Sequence, residues 1–210
     1  MIRILIADDH EVVRDGLRAF LQSDTKYVVV AEAADGEEAI AKAVETEPDV
    51  ALLDFSLPFL NGLEVTRQIR ARLPGTEVLI FTGSDSELVI EETLQAGARG
   101  YLLKSDANRY LIDAITAVAA HRPFFTSKVT EDLLKGYLNR PGQPASTLTN
   151  RERTVVQLIA EGHSNKGIAR VLNLSVKTVE THRTSVMRKL NFSSPADIVR
   201  YAIRNQLIEA

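Results

Sequence analysis

The sequence predicts an α/β protein: a doubly wound, five-stranded parallel sheet followed by a small all-α domain. Three observations carry this. Five short apolar runs alternate strictly with amphipathic helical segments over residues 1–121, as in a parallel sheet whose right-handed crossovers place helices on both faces. The stretch Arg140, Pro141, Gly142, Gln143, Pro144, Ala145, Ser146 then interrupts all periodicity and reads as a linker. Beyond it only helical spacing occurs, and the charge changes sign. Residues 1–122 hold 12 Lys and Arg against 21 Asp and Glu, whereas 147–210 hold 10 against 5.

Taken in order, Ile2 to Ala7 is a strand, and Glu11 to Gln22 spaces Val12, Val13, Leu17, Phe20 and Leu21 along one helix face. Tyr27 to Ala34 is a β-branched run, Gly36 to Glu47 a helix and Val50 to Leu53 a third strand. A helix from Gly62 to Leu73 is stopped by Pro74 and Gly75, and Glu77 to Phe81 makes the fourth strand. A helix from Ser86 to Ala96, a short strand from Gly100 to Leu103 and a helix from Asp106 to His121 complete the sheet domain. Pro123 to Asn139 has helical periodicity through Val129, Leu133, Leu134 and Leu138. Thr149 caps a helix from Arg151 to Glu161, with Glu152 at capping-box spacing. Helices from Asn165 to Leu172 and Val176 to Leu190 flank the turn Asn173, Leu174, Ser175, and Pro195 opens a last helix, Ser194 to Asn205. The predicted domains are therefore 1–121 and 147–210, with 122–146 a linker containing a helix.

Composition excludes several classes. With 45% hydrophobic and 25% charged residues among 210, the chain can bury an ordinary core. It has no cysteine, which rules out disulfides, thiolate metal sites and cysteine nucleophiles. The N-terminal apolar run is too short for a signal peptide, and no run approaches the roughly 20 residues of a membrane span. A cytoplasmic protein with no membrane partner is expected. The acidic part repels polyanions, while the basic part suits phosphate backbones.

In a doubly wound sheet, ligands bind at the carboxyl ends of the strands. Those ends are Asp8 and Asp9 after the first strand, Asp54 after the third, Thr82 after the fourth and Lys104 after the fifth. Three carboxylates at one edge need a cation, and Mg²⁺ prefers a few carboxylate oxygens together with phosphate. Lys104 offers a point charge and Thr82 a hydroxyl, both suited to phosphoryl oxygens. Asp54, between them, is the natural acceptor, because a carboxylate can attack phosphorus to give an acyl phosphate.

This set resembles the receiver domain of bacterial two-component response regulators, a flavodoxin-like fold, over residues 1 to about 121: Asp8 and Asp9, Asp54 with Pro58 and Gly62 behind it, Thr82, and Tyr101 with Lys104. The resemblance implies that Asp54 accepts phosphate from a histidine kinase or a small phosphodonor. It also implies that Asp9, Asp54 and the backbone carbonyl of Ser56 bind Mg²⁺ directly, that Asp8 acts through water, and that Thr82 and Tyr101 form a switch pair. Gly83 and Ser105 depart from residues common in the family, Ala or Ser after the threonine and Pro after the lysine. Haloacid-dehalogenase-type phosphatases also use an aspartate nucleophile, but they need a general-acid aspartate two residues on, where Ser56 stands. A receiver fold used only for protein contact, without phosphate, is the other alternative.

Two short helices joined by a tight turn, the second with a polar face, describe a helix-turn-helix, and Lys166, Arg170, Lys177, Arg183, Arg188 and Lys189 cluster around it. The runs Leu148 to Arg153, Glu161 to Lys166 and Lys177 to His182, ending at Lys189 and Leu190, resemble the LuxR-type helix-turn-helix, and with the receiver the NarL/FixJ subfamily. By that resemblance Glu180, Thr181 and Thr184 read base edges of double-stranded promoter DNA. Glu180 would accept from cytosine N4, and the threonine methyls would meet thymine methyls. Lys177, Thr178, Arg183 and Arg188 would contact phosphates. Val179, Val186 and Leu190 follow core spacing, and His10, His121 and His163 show no ligand spacing and read as structural or surface. The expected protein is a phosphorylation-controlled transcription regulator, not an enzyme, that dimerises or unmasks its DNA-binding domain when phosphorylated.

Overall fold

The computed structural model describes residues 1–131, 148–172, 174–205 and 207–208. The chain divides into two compact units, Met1–Gln143 and Pro144–Ala210. In the first, β1 (Ile2–Ala7), α1 (Glu11–Gln22), β2 (Tyr27–Ala33), α2 (Gly36–Thr46), β3 (Val50–Leu53), α3 (Gly62–Arg72), β4 (Glu77–Thr82), α4 (Glu87–Gln95), β5 (Gly100–Leu103) and α5 (Ala107–Ala119) alternate as predicted. Their spatial order is β2-β1-β3-β4-β5-β6, with every pair parallel. The chain passes from β1 to β2 on one side and returns with β3 on the other. The crevice at the carboxyl ends of β1 and β3 is therefore a topological switch point.

Residues of β1, β3 and β4 are buried on both faces, which is why these strands read as near-continuous apolar runs. Ile4, Ile6, Leu52, Leu79 and Phe81 pack with Leu17 and Leu21 of α1 and Leu111, Ile115 and Val118 of α5. Asp35 caps α2 by accepting from Glu38 N, and Asn61 caps α3 by accepting from Glu64 N at 3.0 Å.

One element differs from expectation. Phe124–Phe125 form a sixth strand, β6, beside β5, where the sequence predicts linker and helix. Helix resumes over 127–131, and the remainder of the predicted linker helix lies outside the described residues. Gly100 makes the extra pairing feasible: a Cβ there would stand 3.1 Å from the Phe124 carbonyl oxygen and 2.9 Å from a Leu79 methyl.

The second unit holds α6 (Asn150–Ala160), α7 (Asn165–Val171), α8 (Val176–Lys189) and α9 (Pro195–Arg204). Thr149 with Glu152 and Ser194 with Asp197 form capping boxes at α6 and α9. Val155, Leu158, Ile168, Val179, Val186 and Ile198 make its core. Among the described residues, no helix is long and apolar enough to cross a membrane.

Candidate functional site

Register places the acidic residues. Ala7 pairs with Leu53, so Asp8 and Asp54 leave adjacent strands side by side, and Thr82 pairs with Leu103, which precedes Lys104. Asp8 and Asp54 are 1% and 2% exposed. Lys104 Nζ lies 2.7 Å from Asp8 Oδ2 and 2.9 Å from Asp54 Oδ2. Burial alone would lower the Lys104 pKa; the facing Asp54 and Asp8 carboxylates outweigh it and raise the value above its ordinary 10.5.

The loop behind Asp54 is fixed by backbone contacts. Asp54 N donates to Ala7 O at 2.8 Å, Gly62 N to Phe55 O at 2.8 Å and Gly36 N to Pro58 O at 3.1 Å. A Cβ on Gly62 would stand 2.4 Å from the Asp54 carbonyl oxygen, so glycine is required for this close approach. Ser56 is half-buried in the same loop.

Asp9 is exposed and pairs with a histidine. His10 Nδ1 lies 2.9 Å from Asp9 Oδ1 and 3.3 Å from Asp8 Oδ1, and His10 N donates to Asp8 Oδ1 at 3.0 Å. Ligand atoms of Asp8, Asp9 and His10 all lie within 4.8 Å of one another. His10 is exposed, as a surface residue was expected to be, and stands at the edge of the site. Its adjacency to the acidic pair was the available signal. Arg14 was missed: it donates to the Asp8 carbonyl at 2.7 Å and fixes the turn after β1. The residues fit a hard divalent cation, since Asp54 Oδ1 is buried without a hydrogen-bond partner among the described residues.

Thr82 is buried, and its Oγ1 accepts from Ser84 N at 3.3 Å. Tyr101 is fully buried, and its hydroxyl donates to the Ser84 carbonyl at 2.7 Å. Burial pushes that hydroxyl well above its ordinary pKa, so it acts as a donor at any physiological pH. Tyr101, expected as one half of a switch pair, points inward.

In the second unit, Lys177, Glu180, Thr181, Thr184, Ser185 and Arg188 line one shallow depression along α8. The Thr181 and Thr184 hydroxyls donate to the carbonyls of Lys177 and Glu180, both at 2.9 Å, and both residues are exposed. The Glu180 carboxylate makes no hydrogen bond or ion pair with the described residues and is exposed. Two residues expected at phosphates are engaged internally. Arg183 is half-buried and donates to Asn165 Oδ1 at 3.3 Å, and Thr178 belongs to the Ser175 cap at the start of α8. Behind this surface Glu152, 3% exposed, accepts from Ser185 Oγ at 2.5 Å and Lys189 Nζ at 2.6 Å.

Residues 4–116 match the response regulator receiver domain, and residues 146–202 match the bacterial regulatory proteins of the luxR family. The chain belongs to the response regulators with a LuxR-type DNA-binding domain, which are transcription regulators and not enzymes. It is 40% identical to the oxygen regulatory protein NreC of Staphylococcus epidermidis, over 99% of this chain and 100% of that protein. It is 39% identical to the transcriptional regulatory protein LiaR of Bacillus subtilis, over 99% of this chain and 100% of that protein. Among solved structures it is similar to the response regulator RcsB of Salmonella typhimurium, with a TM-score of 0.60, 27% identity and 95% and 97% of the two chains covered. It also resembles a LuxR-family regulator from Aurantimonas sp., with a TM-score of 0.63, 36% identity and 66% and 99% of the two chains covered. RcsB has been described in complex with DNA. Receiver domains bind Mg²⁺ at an acidic site of this kind.

Proposed function

We propose that a histidine kinase or a small phosphodonor phosphorylates Asp54, and that the modified protein binds double-stranded promoter DNA through α8, as a homodimer. We take 1–121 as the phosphoacceptor domain and 147–210 as the DNA-binding domain. The observation that carries the reading is Lys104 Nζ poised between two buried carboxylates, 2.9 Å from Asp54 Oδ2.

In the transfer, an Asp54 oxygen attacks phosphorus while the bond from phosphorus to the donor's leaving atom breaks; an imidazole leaving from a phosphohistidine takes a proton from solvent, whereas a carboxylate leaving from an acyl phosphate departs as the anion. Lys104 stabilises the phosphoryl oxygens, and the Thr82 hydroxyl donates to one of them. Asp9, Asp54 and the Ser56 carbonyl would hold Mg²⁺ directly and Asp8 would act through water, the ion supplying charge neutralisation at the transferring group. Lys177 and Arg188 position the backbone of the DNA, while Glu180, Thr181 and Thr184 face base edges.

Incubation with acetyl phosphate and Mg²⁺ followed by intact mass is expected to show one added phosphoryl group, absent in Asp54→Asn. No gain, or an equal gain in the variant, would support a receiver used for protein contact alone. DNA binding that phosphorylation leaves unchanged and monomeric would count against the dimer.

A further inference from the structure

The segment that follows α5 is fastened both to β5, which carries Tyr101, and to the β4–α4 loop that begins after Thr82. Phe124 and Phe125 pair in parallel register with Gly100 and Tyr101. Tyr101 is thus joined to this segment by its backbone and to the β4–α4 loop by its hydroxyl, which donates to the Ser84 carbonyl at 2.7 Å. The next residue of that loop, Asp85, accepts from Lys128 Nζ at 3.0 Å. Lys128 stands three residues beyond β6, between Thr126, 8% exposed, and Val129, 1% exposed. Residues 124–129 therefore touch β5 at Tyr101 and the β4–α4 loop at Asp85.

We propose that residues 124–129 form a transmission strap: the Asp85–Lys128 ion pair, with the β5–β6 pairing, makes the root of the linker follow the loop that Thr82 and Tyr101 control. The proposal rests on Asp54 being the phosphoacceptor. Donation of the Thr82 hydroxyl to a phosphoryl oxygen reorients the group that now accepts from Ser84 N, at 3.3 Å, so the loop adjusts and Asp85 moves with it. Lys128 follows its counter-charge, and the buried Val129 carries the backbone along. The two charged side chains are 59% and 58% exposed, so the pair is screened by water and salt. Its bias on the coupling is at most about fivefold.

The test uses the full chain in four forms: wild type, Asp85→Lys, Lys128→Asp and the double exchange. Each is treated with acetyl phosphate and Mg²⁺, checked by intact mass, and titrated against a double-stranded fragment selected with phosphorylated wild type. Each single variant is expected to take up phosphate as wild type does, yet to lose about two- to fivefold of the phosphorylation-dependent gain in DNA affinity. The double exchange restores it. Fully phosphorylated single variants with the wild-type gain, or a double exchange that restores nothing, would overturn the strap. A wild type that gains no mass overturns the acceptor reading, and the strap with it, before any DNA is added.

Discussion

Lys104 places its ammonium 2.9 Å from Asp54 Oδ2 while lying 2.7 Å from Asp8, so one cation holds two buried carboxylates together. Lys104→Ala leaves those carboxylates facing each other and is expected to destabilise the receiver by about 1–3 kcal/mol, less than a fully buried pair because Lys104 is 24% exposed. Urea unfolding measures this. Added Mg²⁺ should recover more stability in the variant than in wild type. The pH dependence follows the sign of the shift. A folded-state value above 10.5 means the contribution is complete below that pH and is lost as pH rises through the folded value, so wild type should lose stability more steeply there than Lys104→Ala.

Gly62→Ala tests the close approach behind Asp54. Its Cβ would stand 2.4 Å from the Asp54 carbonyl oxygen and 2.9 Å from the Phe55 Cα, both backbone atoms that cannot swing aside. A loss of about 1–3 kcal/mol is expected by thermal unfolding, together with slower uptake of phosphate from acetyl phosphate. Gly83→Ala is the control, since a Cβ there meets nothing within 4 Å.

β1, β3, β4 and β5 were legible because burial on both faces leaves unbroken apolar runs between turn residues, and the half-exposed β2 was legible from its β-branched run Val28 to Val30. The gathering of Asp8, Asp54 and Lys104 was legible because a parallel sheet brings all its carboxyl ends to one edge. β6 was not, since two residues carry no period and Phe124–Phe125 exist as a strand only through pairing with Gly100 and Tyr101. The inward Tyr101 was hidden for a related reason: a rotamer is chosen by the cavity around it, here closed by the Ser84 carbonyl. Asp54, legible from its place in the chain, gains from the structure its contact with Lys104.

Glu152 contributes to the acid-side stability of the DNA-binding unit. Burial would raise its pKa, but hydrogen bonds from Lys189, Ser185 and Thr149 win and bring it down to about 2. A lowered carboxyl contributes stability that is complete above its ordinary 4.5 and is lost as pH falls toward about 2. Glu152→Gln should flatten unfolding of this unit across that window, followed by circular dichroism, and cost about 1–3 kcal/mol at neutral pH.

Glu180 and Lys177 should fail differently, because in the proposed complex Glu180 meets the polyanion as a like charge and Lys177 as a counter-charge. An exposed carboxylate on a surface that meets phosphate is unfavourable unless it accepts from an exocyclic amino group, and cytosine N4 offers one in the major groove. Glu180→Ala is therefore expected to relax preference at one base position by about 1–3 kcal/mol, while binding to unrelated DNA stays level or tightens. Lys177→Ala would remove the proposed phosphate contact. It should weaken binding to all sequences alike and reduce the slope of log affinity against log salt by about 1. Titration of both variants against the selected fragment, its single-base substitutions and a scrambled duplex, at several salt concentrations, separates the two. Equal losses on every duplex for Glu180→Ala would remove that residue from the base-reading set and leave Thr181 and Thr184 to read the groove.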